Sequence, residues 1–528
     1  MSRLGKTVRW ATSLACLALA LTPGVLRAEP PVYVDVQRSI EKQRDAATVA
    51  VKDLRTGAAG VKDALNTLCD ASAVVRDAVV AAIIKDWQEP DLESLVGGLG
   101  DKRALVAEGV AEILGRRKLA RAIPALAAAL GRDGSEDAHA ILLWALSEIG
   151  GEEGSKVVEK YFGAQRKSPR LRSEALRAFA RLSPARARSA LESALEDKIP
   201  AARIAALDSL GAIDAVAGLD AAVKILRAPF KQGRDDGWAA RVWFSACERL
   251  RRVEERAAQR DKLRDGVDAL IAALANLRGR ELRDSIATLE DLTGQYEHGD
   301  FIDAWSLWWQ AQRENWQPTA AGKGAADKAR APAGRTAVVR YHGTPIDSQR
   351  VVFVQDISGG MGRQLDGEWK GSGPTRLDVS KQELDRVLDK LSDDAWVNLV
   401  YFGSYYYSFA KEPQPLKSER RRLKDFNAQQ EIPKPQGHNR GNVYDTLAQV
   451  IQQPTVDTVY LLTEGAPTEG KYLDYDRFLD HFERLARVAK VRVHVLLMGK
   501  TGGRNRAFLQ KLAELTGGEL REVELAKE

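Results

Sequence analysis

From Val36 to Trp316 the apolar positions recur at helical spacing, and the helices themselves recur. An anchor is followed three, seven and in some copies ten positions later by apolar or small residues: Arg172, Ala175, Phe179 and Leu182, then Arg203, Ala206, Leu210 and Ile213. Those spacings return side chains to one helix face. Earlier anchors at Arg76, Val106 and His139 complete a series with intervals of 30, 33, 33 and 31 residues. Second amphipathic stretches such as Ile123 to Leu130, Ala190 to Leu195 and Leu219 to Leu226 lie between them. Copies at Arg241 and Arg283 are looser, and Pro229 to Gly237 breaks the period as a loop. Beyond Ala337 short β-branched runs take over: Val338 to Tyr341, Val351 to Gln355, Trp396 to Phe402, Tyr405 to Ala410, Thr458 to Leu462, Val491 to Met498 and Leu520 to Val523. Helical patterns at Arg376 to Leu391, Asn442 to Ile451, Tyr475 to Ala489 and Asn505 to Leu515 alternate with them. Alternation of this kind predicts a mainly parallel, doubly wound sheet.

Helix pairs with a period just above thirty predict a solenoid. The pattern resembles HEAT-type repeats, in which small residues let paired helices approach closely; a generic alanine-rich bundle is the plainer alternative. Trp305, Trp308, Trp309 and Trp316 fall mainly on one side of the final helix, which suits a cap on the last repeat, with a carbohydrate or peptide platform as the sharper alternative. Gln317 to Arg335 holds small residues, two prolines and scattered charges with nothing to bury, and reads as a flexible linker. The expected organisation is therefore a leader over 1–28, a HEAT-like α-helical domain over 36–316, a linker over 317–335 and an α/β domain over 336–528.

The leader rests on Arg3, Lys6 and Arg9 ahead of an uncharged run from Trp10 to Leu26 and a small residue, Ala28, at the expected cut. This describes a secretory signal peptide better than a membrane span, so the chain is expected to be exported, periplasmic or extracellular, with no integral membrane segment once cut. A lipoprotein signal at Cys16 is the weaker alternative. Charge changes the picture little. The 79 basic residues lose four with the leader, leaving 75 against 73 acids, too even for nucleic-acid binding. Cys69 and Cys247 stand far apart in helical contexts and read as buried free thiols.

Candidate chemistry centres on Val351 to Gly362, a buried strand delivering Asp356 and Ser358 to a glycine-rich loop. The stretch resembles the first strand and metal-site loop of the von Willebrand factor A domain, whose motif is Asp-x-Ser-x-Ser, and the resemblance spans Ala337 to Val523. It is supported by Arg376-Leu377-Asp378, Val397 to Phe402, Asn442 to Leu447 and Leu462 to Gly465. The resemblance implies a Rossmann-like fold and a divalent cation on oxygen ligands, completed by a partner's carboxylate. Position by position, Asp356 and Ser358 are retained, Gly360 and Gly441 replace hydroxyl ligands, and Glu464 replaces an Asp. A degenerate metal-ion-dependent adhesion site follows. The expectation is no cofactor, with weakly bound Mg2+ or Mn2+ as the alternative, and Arg440, beside Gly441, is expected to supply the missing positive charge, with Arg363 as a second candidate. Gly499-Lys500-Thr501 lacks the first glycine of a phosphate loop, and no hydrolase elbow, zinc motif or dinucleotide motif has a suitable context. Lys417 to Lys424 forms a basic helix face, solvated by default, with an acidic partner as the alternative. The expected function is a non-catalytic protein-binding scaffold of unknown partner; the alternative is a hydrolase or accessory enzyme using Asp356 and Glu464 as acid and base.

Overall fold

The computed structural model describes residues 26–27, 35, 38–54, 57–164, 168–229, 237–320, 338–364, 373–434, 440–499 and 501–523. Each anchor of the repeat lies in the first helix of a pair: Ala73–Asp86, Ala104–Arg116, Glu136–Ile149, Pro169–Leu182, Pro200–Ile213, Gly237–Arg251 and Gly279–Thr293. Pro169 and Pro200 start their helices where a missing N–H costs nothing, and the Ser135 and Ser168 hydroxyls accept from the main chain three residues on. First helices pack on one another in sequence along the array, and the second helices pack on them. Close approach needs small residues: a Cβ on Gly218 would lie 2.4 Å from the Gly211 Cα. One apolar core runs unbroken from Ala64 to Trp316.

Trp305, Trp309 and Trp316 are buried at the array's end, with the Trp309 and Trp316 rings 5.4 Å apart. Trp309 Nε1 donates to Asp268 at 2.6 Å and Trp305 Nε1 to the Gly299 carbonyl at 3.0 Å. These rings close the last repeat, with the polar edges of Trp305 and Trp309 satisfied and the Trp316 N–H buried without an acceptor. Cys69 and Cys247 are free thiols; Cys247 is buried, Cys69 only in part. The Pro229 to Gly237 loop lies almost wholly outside the described residues, as does most of the linker. Its first residues are packed, with Thr319 donating its N–H to the Leu292 carbonyl at 3.0 Å.

The C-terminal domain is a mixed sheet. Its strands are β1 (Leu26–Arg27), β4 (Arg350–Asp356), β5 (Trp396–Phe402), β6 (Tyr406–Ser408), β7 (Gln414–Pro415), β8 (Thr458–Thr463), β9 (Arg492–Met498) and β10 (Leu520–Val523), while β2 (Arg340–Tyr341) and β3 (Thr344–Pro345) form a separate hairpin. The order is β1-β6-β5-β4-β8-β9-β10, with β5, β4, β8, β9 and β10 parallel and β7 pairing antiparallel with β5. Leu26 and Arg27 pair with Ser408 and Tyr407 at one edge although they belong to the expected leader, so that cleavage near Ala28 would remove this edge strand; the rest of the expected leader lies outside the described residues. Alternate residues face opposite layers. Val351 and Phe353 pack beneath helices Arg376–Lys390 and Leu416–Ala428, whereas Val352 and Val354 pack beneath Val443–Ile451, Tyr475–Ala489 and Gly503–Glu514.

The two halves are not independent. First helices of the array lie against the Tyr475–Ala489 side of the sheet domain through ion pairs that are largely buried. Arg477 holds Glu112 by two nitrogens, at 3.0 and 2.6 Å, and also Asp77. Lys471 bridges Glu108 and Asp137, both at 2.8 Å, and Lys490 bridges Glu248 and Asp208 at 2.8 and 3.1 Å. Arg492 meets Asp284 at 2.5 Å. In the reverse direction Arg76 donates to the Gly470 and Lys471 carbonyls, and Arg241 to those of Ile451, Gln453 and Val456. Contacts of this kind join the two halves directly, apart from the connecting chain. Acids recurring on the first helices form a ladder of ion pairs with cations of the other half.

Candidate functional site

Chain order reverses between β4 and β8, because β5 follows β4 on one side and β8 takes the other. At such a switch point the rule for open α/β sheets places the ligand crevice outside the carboxyl ends of the strands. Asp356 ends β4, and Thr463 ends β8 with Glu464 immediately beyond it.

Asp356 is buried and fully engaged. Its Oδ1 accepts the Ser358 N–H at 2.7 Å, and its Oδ2 accepts the Thr463 hydroxyl at 2.8 Å. Burial nevertheless pushes its carboxyl above the ordinary range, with those hydrogen bonds opposing. Glu464 is also raised, first by burial and then by the Asp356 charge; Arg376 and Arg363 oppose. Arg376 Nη1 donates to Glu464 Oε2 at 2.8 Å from a side chain only 8% exposed. Its position follows from local sequence. Thr375 caps the helix reciprocally with Asp378, which fixes Arg376 in the first turn facing the strand ends. Gly499, at φ +91, leaves room beside it, since a Cβ there would meet Arg376 Nη2 at 2.7 Å.

Gly360 and Glu464 are sterically one feature. A Cβ at 360 would stand 1.7 Å from Glu464 Oε1, so the longer carboxylate occupies the space a side chain at 360 would take. At Gly441 a Cβ would meet nothing nearer than 3.8 Å, so no such constraint operates there. The residues present do not fit a divalent ion in octahedral geometry. Asp356 is committed to a main-chain N–H and a hydroxyl, Glu464 to a guanidinium, and two hydroxyl ligands are absent. Among the described residues no group of three or more His, Cys, Asp or Glu side chains is placed to hold a metal.

Asp356, Ser358 and Glu464 therefore come together as expected, and Arg440 does not join them. Arg440 turns to the array, donating to the Asp35 carbonyl at 2.5 Å and to the Arg38 carbonyl, and pairs with Glu469 at 3.3 Å. Adjacency to Gly441 pointed to the wrong arginine, because the Arg440 side chain is engaged by carbonyls of the N-terminal segment. Arg376 and Thr463 are the functional positions that sequence reasoning passed over. Both stood within stretches that carried the family resemblance, and the capping pattern at Thr375 was the available signal for the first.

Comparison with known proteins adds a partial assignment. Residues 163–241 match the family model described as HEAT repeats. Among solved structures, a mutant of the PilB minor pilin from Streptococcus sanguinis aligns at 18% identity and TM-score 0.26, covering 34% of this chain and 58% of the pilin. The chain thus spans little more than half of that protein's length. The complex of CpcE and CpcF of phycocyanin lyase from Nostoc sp. PCC7120 aligns at 17% identity and TM-score 0.24, covering 48% of this chain and 94% of that one. No curated protein sequence matches the chain.

Proposed function

We propose that this chain is an exported, non-catalytic binding protein, a HEAT-type array joined to a von Willebrand A-like domain whose strand-end site works without a cation. The observation that carries the reading is the Gly360–Glu464–Arg376 arrangement, in which a guanidinium takes over the charge balance that a metal would supply. Strand order, the switch-point crevice and the Asp356-x-Ser358 loop support the von Willebrand A likeness. The HEAT match supports protein interaction as the purpose of the array. Since the first helices are buried against the sheet domain, a partner protein has the second helices, the strand-end crevice and the Arg376–Lys390 side left to it.

Capture of a partner by the intact chain, unaffected by chelator and weakened by Glu464→Lys, is the expected result. Capture abolished by chelator would overturn the cation-free reading. The raised carboxyls of Asp356 and Glu464 favour one alternative, acid-base hydrolysis. Turnover in a broad hydrolase screen that disappears in Glu464→Gln would establish that alternative and displace the scaffold. Export is checked separately by mass spectrometry, which should find a mature N-terminus near Glu29; an intact Met1 on a cytoplasmic protein would refute it.

A further inference from the structure

A hollow of about 760 Å3 lies at the junction, walled on one side by first helices of the array and on the other by helix Tyr475–Ala489 and the turn at Thr516 and Gly517. A smaller one of about 210 Å3 shares Arg251, Asp284, Arg492 and Gly517 with it. Nine arginines and lysines line the larger hollow against six carboxylates. Most of those acids are already committed: Asp208 and Glu248 to Lys490, Asp284 to Arg280 and Arg492, Glu483 to Arg487.

Three guanidiniums are left under-compensated. Arg251 makes no side-chain hydrogen bond or ion pair among the described residues. Arg484 gives Nε to the Asp480 carbonyl at 3.1 Å and lies 4.2 Å over the Trp144 ring, with no carboxylate in reach; burial lowers its pKa. Arg177 reaches Asp208 at 3.4 Å and Glu174 at 3.9 Å and gives Nη2 to the Arg487 carbonyl at 3.2 Å, while its Nη1 is buried without a hydrogen bond. A largely buried cation without a matching acid, as at Arg484, is costly, and the guanidinium fork suits carboxylate or phosphoryl oxygens. The volume falls in the range of small-molecule sites.

We infer that this hollow binds a compact multivalent anion, rich in phosphoryl or carboxylate groups, held by Arg177, Arg251 and Arg484 across the junction. Arg177 and Arg251 belong to the array and Arg484 to the sheet domain, so the ligand bridges the halves and stabilises their union by mass action.

Calorimetric titration of the full chain with pyrophosphate and, separately, with citrate at about 0.15 M salt tests this. Saturable one-to-one binding is expected, with the preferred probe telling phosphoryl from carboxylate chemistry. Arg251→Gln and Arg484→Gln should each weaken it by about tenfold or more, as loss of a charge-assisted bond does. Neither change orphans a carboxylate, so the melting temperature without ligand should hold, and Arg421→Gln on the far helix should leave affinity unaltered. Absence of saturable binding to either probe, or equal affinity in all variants, would overturn the inference.

Discussion

At the residue scale, Gly360 and Glu464 make a prediction that separates a vacant ligand position from a filled one. Gly360→Ser places a Cβ where the Glu464 carboxylate now sits, and the carboxylate must swing away from Arg376. A buried guanidinium that loses its partner costs on the order of 1–3 kcal/mol, so the single variant should unfold at lower denaturant concentration. Shortening the acid removes the clash, and Gly360→Ser with Glu464→Asp should recover most of that loss; additive destabilisation would show that the two positions are uncoupled. Magnesium belongs to the same argument. Melting of the unmodified protein should be indifferent to magnesium or chelator, whereas Arg376→Ala in the double variant should introduce a magnesium-dependent rise, since the repelling charge is gone. A large magnesium shift in the unmodified protein, lost in Asp356→Ala, would contradict this account.

At the element scale, the loop from Glu464 to Asp474 joins the site to the array. It carries Glu464 at the crevice, Glu469 against the N-terminal segment, Lys471 between Glu108 and Asp137, and Asp474, whose side chain caps the next helix. Glu469 Oε1 accepts the Asp35 N–H at 2.9 Å, while Oε2 faces Arg440 at 3.3 Å and the Ser404 hydroxyl at 3.4 Å. Burial outweighs Arg440 and pushes this carboxyl up to about 7. The unfolded chain then ionises Glu469 near its ordinary value while the folded chain still holds the proton. Fewer protons bound in the unfolded state means that this contribution to stability falls as pH rises from about 4.5 to about 7, then levels off. Chemical denaturation of the protein and of Glu469→Gln across that window should show the difference, on the order of 1–3 kcal/mol in favour of the acid side. Parallel curves would mean that Glu469 is ionised in the folded state.

Legibility also divides by element. The array announced itself because three- and seven-residue spacings of apolar positions are a direct image of burial, and each anchor lies in a first helix. Strands β4, β5, β8 and β9 were equally plain, being apolar on both faces. What the pattern could not show was pairing between charged residues far apart in the chain. Asp77, Glu112 and Asp284 look like any solvent-facing acid on an amphipathic helix, and only the fold brings Arg477 and Arg492 to them. The same blindness sent the guanidinium assignment to Arg440, next in sequence to a substituted ligand, rather than to Arg376, 88 residues from Glu464 and adjacent in space.

At the scale of the whole molecule, the ion-pair ladder decides whether the chain behaves as two domains or one. Arg477 is 11% exposed and satisfies Glu112 and Asp77, which are 1% and 7% exposed, and Asp77 additionally accepts the Leu473 and Asp474 N–H groups at 2.7 Å. His481, pushed down to about 3 by burial and neighbouring arginines, stays neutral there at ordinary pH and adds no charge to hold Glu112. Arg477→Met therefore leaves Asp77 with main-chain donors alone and Glu112 with Arg116 as its one remaining cation, at 3.0 Å, a loss on the order of 3 kcal/mol. Replacing Glu112 by Gln in that background should return part of it, because the net worth of a buried pair is far smaller than the cost of breaking one side. Proteolysis gives the decisive view. A cut within 321–337 should leave two fragments that elute together, since the ladder and the Arg76 and Arg241 contacts to main-chain carbonyls do not depend on the connecting chain. Buried pairs are poorly screened, so moderate salt should not part them. In Arg477→Met the nicked fragments should separate. Fragments of the unmodified protein that separate at once, each still folded, would show that the junction is incidental and that the halves act as independent domains.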